Sequence, residues 1–142
     1  MPKYLFASHG KFSEGTRSFL EIMAGKNLPI FTLSAFVDDR SVGSLVSDAL
    51  AEAGEFDQLF IFCDLHGGSV AQEVFRQTHD LEKNIQVIAG YNLALALDII
   101  ARGTVLTADE IREAVEEART AIVYLNDYSS SHQNTGEEES LF

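Results

Sequence analysis

A hydrophobic run that breaks at an acid and then at a Gly-Gly-Ser step constrains this chain most strongly. Residues 60–63 read Phe-Ile-Phe-Cys, Asp64 follows directly, and the next five residues are Leu-His-Gly-Gly-Ser. This pattern predicts a buried strand that turns sharply into a helix. The carboxyl ends of strands in an open α/β sheet face the ligand crevice, so we expect Asp64 to point into a site. The backbone amides of Gly67, Gly68 and Ser69 are expected beside it.

A second strand of the same kind opens the chain. Residues 4–8 read Tyr-Leu-Phe-Ala-Ser and are followed by His9 and Gly10. A histidine therefore stands where this strand is expected to end, as Asp64 does for the other strand. Both residues are candidates for chemistry at the carboxyl edge of a sheet.

Strand patterns and helix patterns alternate along the chain. Hydrophobic runs cover residues 4–8, 30–36, 59–63 and 85–89, and apolar residues at helical spacing follow each run. This alternation predicts parallel strands joined by right-handed crossovers, and hence a three-layer α/β/α domain with a mainly parallel four-stranded sheet. We expect the strand order 2-1-3-4. That order places a topological switch point between strands 1 and 3. His9 and Asp64, which are 55 positions apart in the sequence, would then be neighbours in space.

The last helix has a clear start and two alternative ends. Thr-Ala-Asp-Glu at residues 107–110 is a capping box, and a helix continued from it would turn Ile122 and Leu125 inward. Residues 121–125 also have strand composition. The alternative is therefore a short edge strand.

Composition narrows the range of functions. The chain has 142 residues, enough for one domain, which we place at residues 1–128, and the polar, acidic residues 129–142 are predicted to be a disordered tail. The net charge of −12 disfavours nucleic acid and anionic membranes as partners. Apolar runs stay below the roughly 18 residues of a membrane span, and the start resembles a strand and not a signal peptide, so a cytoplasmic location is expected. The single cysteine, Cys63, is predicted to be a buried small hydrophobe.

The expected pairing of His9 with Asp64 suggests nucleophilic chemistry. A carboxylate at one ring nitrogen fixes the tautomer of an imidazole and makes the other nitrogen a better nucleophile. It also stabilises the positive charge that develops when the ring attacks. The residues predict that His9 is the nucleophile and that Asp64 orients it.

The Gly67-Gly68-Ser69 turn predicts an anion site next to this pair. Backbone N–H groups at a helix N-terminus, with one hydroxyl, bind a phosphoryl group well. The sequence has no Walker lysine, so the phosphoryl group is expected from another protein and not directly from a nucleotide. Gly10, His66 and Asn92 are further candidates for the lining of the site.

A metal site is the alternative use of these side chains. His66 and Asp64 are only two residues apart, and no second carboxylate stands nearby in the sequence. Four-ligand sites need more donors than this. The sequence therefore predicts neither a metal nor a cofactor.

Three motifs together resemble a known family. They are Ser8-His9-Gly10, the stretch from Asp64 to Ser69, and the segment Ala-Gly-Tyr-Asn-Leu at residues 89–93. They are similar to the enzyme IIA domain of the mannose family of the bacterial phosphoenolpyruvate-dependent sugar phosphotransferase system. The resemblance covers about residues 3–126. Val70 replaces a proline that is common in that family.

The resemblance implies a phosphotransferase that acts through a phosphohistidine. It implies that His9 accepts a phosphoryl group from the histidine-containing phosphocarrier protein and passes it to an enzyme IIB partner for sugar uptake. Asp64 would match the family acid that holds the ring, and Ser69 the hydroxyl at the phosphate. The family also implies a homodimer, often formed by exchange of an edge strand, and residues 121–125 would suit that strand.

Three alternatives remain open on the sequence. A related subunit of the dihydroxyacetone kinase system shares the fold and the histidine. A regulatory binding module would be phosphorylated on His9 without passing the group on. A small hydrolase would use His9 and Asp64 as general base and orienter on a water molecule, and it would turn over a phosphate ester alone.

Overall fold

A parallel four-stranded sheet forms the centre of the computed structural model, which describes residues 1–132. Its strands run in the spatial order β2-β1-β3-β4, and each neighbouring pair is parallel. This confirms the predicted order 2-1-3-4. The strands are β1 (Pro2–His9), β2 (Ile30–Ala35), β3 (Gln58–Cys63) and β4 (Ile85–Ala89).

Helices cover both faces of the sheet, and their starts follow local capping signals. The Ser41 side chain accepts a hydrogen bond from the Ser44 amide, and Thr107 with Glu110 forms the predicted capping box. Within the described residues no helix combines the length and the apolar character that crossing a membrane requires. The helices are α1 (Phe12–Ala24), α2 (Val42–Ala53), α3 (Ser69–Thr78), α4 (Leu93–Arg102), α5 (Ala108–Arg119) and α6 (Leu125–His132).

Two hydrophobic cores lie on opposite faces of the sheet because side chains alternate along each strand. Phe6 and Phe62 belong to the core under α1, α4 and α5, and their stacked ring centroids lie 4.6 Å apart. Leu5 and Ile61 belong to the core under α2 and α3. Full burial of each such side chain contributes roughly 1.5–3 kcal/mol. The three-layer α/β/α architecture predicted from the sequence is therefore confirmed.

The C-terminal segment does not continue helix α5 as one prediction expects, and within the single chain it is not a strand either. Helix α5 ends at Arg119, and residues 122–124 are neither helix nor strand. Thr120 explains the end, because its hydroxyl and its amide both bond the Glu117 carbonyl and so tighten the last turn. Ile122 and Leu125 are consequently 77% and 47% exposed, and not turned inward.

Helix α6 covers the first part of the tail that was predicted to be disordered. It runs to His132, so the first four residues of the stretch predicted to be disordered are helical. The remaining residues of that stretch, 133–142, lie outside the described residues.

Cys63 should be chemically inert in the folded protein. It is fully buried, and burial, with a smaller effect from Asp64, raises the pKa of its thiol to about 12. The thiolate is the reactive form, so folded protein should resist iodoacetamide at about pH 8 and react once denaturant is added. Intact mass measurement detects the alkylated protein. Rapid alkylation of Cys63 under native conditions would contradict its burial.

The same shift makes stability depend on pH. The unfolded thiol ionises near its ordinary pKa of 9.0, while the folded thiol stays protonated. The contribution of Cys63 to the free energy of unfolding is therefore complete below pH 9 and is lost as the pH rises towards 12.

Candidate functional site

The pairing of β1 with β3 brings the two candidate residues together. Ala7 lies opposite Cys63 in the register, and the Asp64 amide donates to the Ala7 carbonyl at 3.2 Å. His9 follows Ala7 by two residues, and Asp64 follows Cys63 by one. Both side chains therefore leave the carboxyl edge of the sheet at the predicted switch point.

One oxygen of Asp64 holds His9 at two atoms. Asp64 Oδ2 lies 3.0 Å from the ring atom Nδ1 of His9 and accepts the His9 backbone N–H at 2.8 Å. The other oxygen, Oδ1, accepts the Leu65 N–H at 3.0 Å. The Asp64 side chain is 12% exposed and the His9 side chain 39% exposed. The predicted hydrogen-bonding contact is confirmed, and it leaves the ring open to a reactant.

These bonds determine which ring nitrogen can react. An ionised carboxylate only accepts hydrogen bonds, so the proton of neutral His9 lies on Nδ1. Nε2 is then unprotonated, and its lone pair can accept a hydrogen bond. The Ser69 hydroxyl lies 3.4 Å from Nε2, on the side away from Asp64. With its lone pair exposed in this way, Nε2 is chemically able to act as a nucleophile.

Two glycines turn the chain beside this pair. Gly10, directly after His9, has a φ of +59°, and its amide donates to the Ala35 carbonyl at 2.7 Å. Gly67 has a φ of +78° just before α3. Left-handed conformations of this kind favour glycine, so both turns depend on these residue types. Gly10 thus closes the end of β1 against β2.

The N-terminus of α3 lies next to the free nitrogen. Gly68 is the N-cap, and the first hydrogen bond of the helix runs from the Gln72 amide to the Gly68 carbonyl at 3.0 Å. The amides of the first turn therefore have no acceptor inside the helix. Gly68 has no side chain that could accept a hydrogen bond from one of these amides. These N–H groups and the Ser69 hydroxyl can receive an anion that is bonded to Nε2.

Phe36 is a site residue that sequence reasoning missed. It was predicted to lie within the second strand, but β2 ends at Ala35 and Phe36 has a left-handed φ of +65°. Its ring stacks on the His9 imidazole with centroids 5.2 Å apart and planes 22° apart. No local sequence signal marks a phenylalanine for this conformation.

The other two residues predicted to line the site, Asn92 and His66, lie in different parts of the structure. Asn92 caps α4 by accepting the Leu95 N–H at 2.9 Å and donates to the Ala118 carbonyl at 2.8 Å. Its hydrogen bonds thus join α4 to α5 and do not reach His9. His66 is exposed in the loop between Asp64 and α3. Among the side chains that the structure describes, no three from His, Cys, Asp or Glu converge to hold a metal ion.

The fold and the site define a class: an α/β domain with a carboxylate-oriented histidine beside a helix N-terminus. Comparison with known proteins agrees with this class. Residues 3–116 match the family model described as the fructose IIA component of the phosphotransferase system. The chain belongs to this family of mannose-type and fructose-type enzyme IIA components, which are phosphotransferases.

Solved structures from several bacteria share the fold. A candidate permease of the phosphoenolpyruvate-dependent sugar phosphotransferase system from Klebsiella pneumoniae is 31% identical, with a TM-score of 0.78 over 88% of this chain and 91% of that one. Enzyme IIA from Streptococcus agalactiae is 24% identical, with a TM-score of 0.76 over 89% and 99%. A mannose/sorbose-specific IIA subunit from Enterococcus faecalis is 21% identical, with a TM-score of 0.70 over 86% and 92%. Comparison with curated proteins found no significant match.

Asp64→Asn should change the tautomer of His9 without unfolding the protein. A charged acceptor stabilises the Nδ1–H form by roughly 1 kcal/mol more than a neutral amide, so the tautomer ratio should fall about fivefold. The ¹⁵N chemical shifts of the imidazole measure this ratio. Asp57→Asn is the matched control, because Asp57 precedes the opposite end of β3. An unchanged ratio in Asp64→Asn would make Asp64 a purely structural residue.

Proposed function

We propose that this protein is a phosphocarrier that accepts a phosphoryl group on Nε2 of His9 from the histidine-containing phosphocarrier protein and passes it to an enzyme IIB partner. The contact of 3.0 Å between Asp64 Oδ2 and His9 Nδ1 carries this proposal, because it leaves Nε2 unprotonated. Membership in the enzyme IIA family supports the reaction class.

The transfer step follows from the tautomer. The Nε2 lone pair forms a bond to phosphorus while the phosphorus–nitrogen bond of the donor histidine breaks, and the donor imidazole leaves with that electron pair. The proton stays on Nδ1, so the His9 ring becomes positive. Asp64 stabilises this charge through a bond that already exists before the reaction. Onward transfer is the same step in reverse, with the partner's nucleophile in place of the donor.

The first turn of α3 supplies the anion site for the transferred group. The first-turn amides and the Ser69 hydroxyl can surround the phosphoryl oxygens as charge redistributes. Ser69 assists and does not carry the group, because a serine ester is too stable to pass on. Gly68 lets the backbone approach the ring, and Gly67 allows the left-handed turn that precedes it.

The wider setting is a sugar phosphotransferase pathway. We place the protein in the cytoplasm, with a separate enzyme IIB chain as acceptor and without a cofactor. A kinase-bound nucleotide of a dihydroxyacetone kinase system is the second candidate acceptor, because the same histidine chemistry serves both.

Phosphorylation should require His9 alone. Incubation with phosphoenolpyruvate, enzyme I and the phosphocarrier protein should add the mass of one phosphoryl group, and His9→Gln should abolish this addition. The label should be lost in mild acid and persist in base, as a phosphoramidate does. Intact mass measurement reads each result. Acid-stable label, or label retained in His9→Gln, would move the assignment to His66 or Ser69.

Ser69→Ala serves as the matched variant in the same assay. It should still be labelled, but roughly 10-fold more slowly, as expected for one lost hydrogen bond to a charged group. Adding enzyme IIB should remove the label in the wild type. Label that no acceptor removes would favour a regulatory module, and hydrolysis of a phosphate ester by the protein alone would favour the hydrolase.

We also propose that the protein is a homodimer formed through its C-terminal segment. The segment 122–125 carries four exposed apolar side chains with strand composition, and β4 is an edge strand of the described sheet. A strand added at that edge would bury the four side chains and would pair the open edge of β4. Sedimentation should give a dimer, and Val123→Asp should shift it to monomer. A wild-type monomer at high concentration would contradict the proposal.

A further inference from the structure

Phe36 is the least expected side chain near His9. It is the one residue other than glycine with a positive φ in the part of the chain that the structure describes, and its side chain remains 61% exposed. A bulky residue in the left-handed region is strained, and such strain concentrates at functional sites. Burial does not explain it, since the residue is largely exposed.

The backbone links Phe36 directly to the histidine. Gly10 follows His9, and its amide donates to the carbonyl of Ala35, which precedes Phe36. The bond is 2.7 Å long. It brings the end of β2 against the end of β1, and the left-handed turn at Phe36 then lays its ring over the imidazole at 5.2 Å.

Gly68 approaches the imidazole from α3. A Cβ atom at Gly68 would lie 3.4 Å from Cε1 of His9, so the glycine backbone is already close to the ring. Cε1 lies between the two ring nitrogens. The imidazole is thus in contact with Asp64 at Nδ1, with the Gly68 backbone near Cε1 and with Phe36 over one face.

We propose that Phe36 is a positioning residue: its ring, presented by a left-handed backbone, holds the His9 imidazole in the orientation that directs Nε2 at the N-terminus of α3. The hydrogen bond to Asp64 at Nδ1 and the long 3.4 Å contact of the Ser69 hydroxyl at Nε2 still let the ring tilt out of its plane. A stacked aromatic ring restricts that motion, because tilting the imidazole would break the flat contact. This inference rests on the proposed phosphotransfer function.

The test uses phosphoramidate, a small phosphoryl donor that needs no docking surface. The His9 Nε2 lone pair forms the new bond to phosphorus as the donor's phosphorus–nitrogen bond breaks, and ammonia leaves with that electron pair. Phe36→Leu keeps an apolar side chain but removes the flat ring, and labelling should slow by roughly 3- to 10-fold, the effect of one aromatic pair. Phe36→Tyr keeps the stack and should stay within about twofold of the wild type.

Two control variants separate positioning from loss of exposed apolar surface. Val37→Ala removes a neighbouring side chain that is 48% exposed and should label at the wild-type rate. Phe75 of α3 stacks on His79 with ring centroids 5.3 Å apart. Phe75→Leu removes this stack and should also leave the labelling rate unchanged. Wild-type labelling of Phe36→Leu would overturn the proposal. So would a defect seen only with the protein donor, which would assign Phe36 to docking.

A second measurement decides the question without phosphorylation. The ¹⁵N shifts of the His9 ring in unmodified protein should show a smaller fraction of the Nδ1–H tautomer in Phe36→Leu than in the wild type and Phe36→Tyr. Equal fractions in all three would overturn positioning even if transfer is observed. Absence of labelling in the wild type, with the tautomer shift present, would defeat the proposed function and leave the positioning role supported.

Discussion

The site depends on one carboxylate oxygen that accepts two hydrogen bonds from the same residue. Asp64 Oδ2 binds the backbone N–H of His9 at 2.8 Å and its ring Nδ1 at 3.0 Å, so it fixes the ring relative to the peptide that carries it. This geometry requires the register of β1 against β3, in which Ala7 lies opposite Cys63. A slip of one residue would turn the side chains of one strand to the other face and separate the pair. The contact between His9 and Asp64 can therefore form only when the two central strands are paired in this register.

Aromatic packing under the carboxyl edge makes this register rigid. Phe6 of β1 stacks on Phe62 of β3, and Tyr91 meets both rings edge-on at 5.5 and 5.6 Å. The Tyr91 hydroxyl bonds the Thr16 hydroxyl at 2.7 Å, which ties the turn after β4 to α1. Burial is the main cause that raises the pKa of Tyr91 to about 12, so the phenol stays neutral at physiological pH. Packed, uncharged groups thus hold in place the ends of the two strands that lead to His9 and Asp64.

The parts of the fold that sequence could predict are those governed by local pattern. Hydrophobic runs ending in His9 and Asp64 identified the two central strands, and parallel crossovers gave their order. Phe36 could not be predicted, because its left-handed turn depends on the Gly10–Ala35 bond and on the ring it covers. Asn92 was placed in the site by its position after a strand, yet its amide is used between α4 and α5. The segment 121–125 was ambiguous because its composition suits either element, and the single chain leaves Ile122 77% exposed.

The proposed carrier must hold a phosphoryl group and also release it, and the described groups suit both demands. Those placed to meet the phosphoryl oxygens are the α3 amides and the Ser69 hydroxyl, which are neutral dipoles. A lysine or arginine clamp would add full positive charge and stabilise the phosphorylated state over the transition state for onward transfer. The charge that forms lies on the imidazole, where Asp64 already accepts a hydrogen bond from Nδ1–H. Because this interaction strengthens as the ring becomes positive and weakens as the group leaves, the same contact serves acceptance and donation.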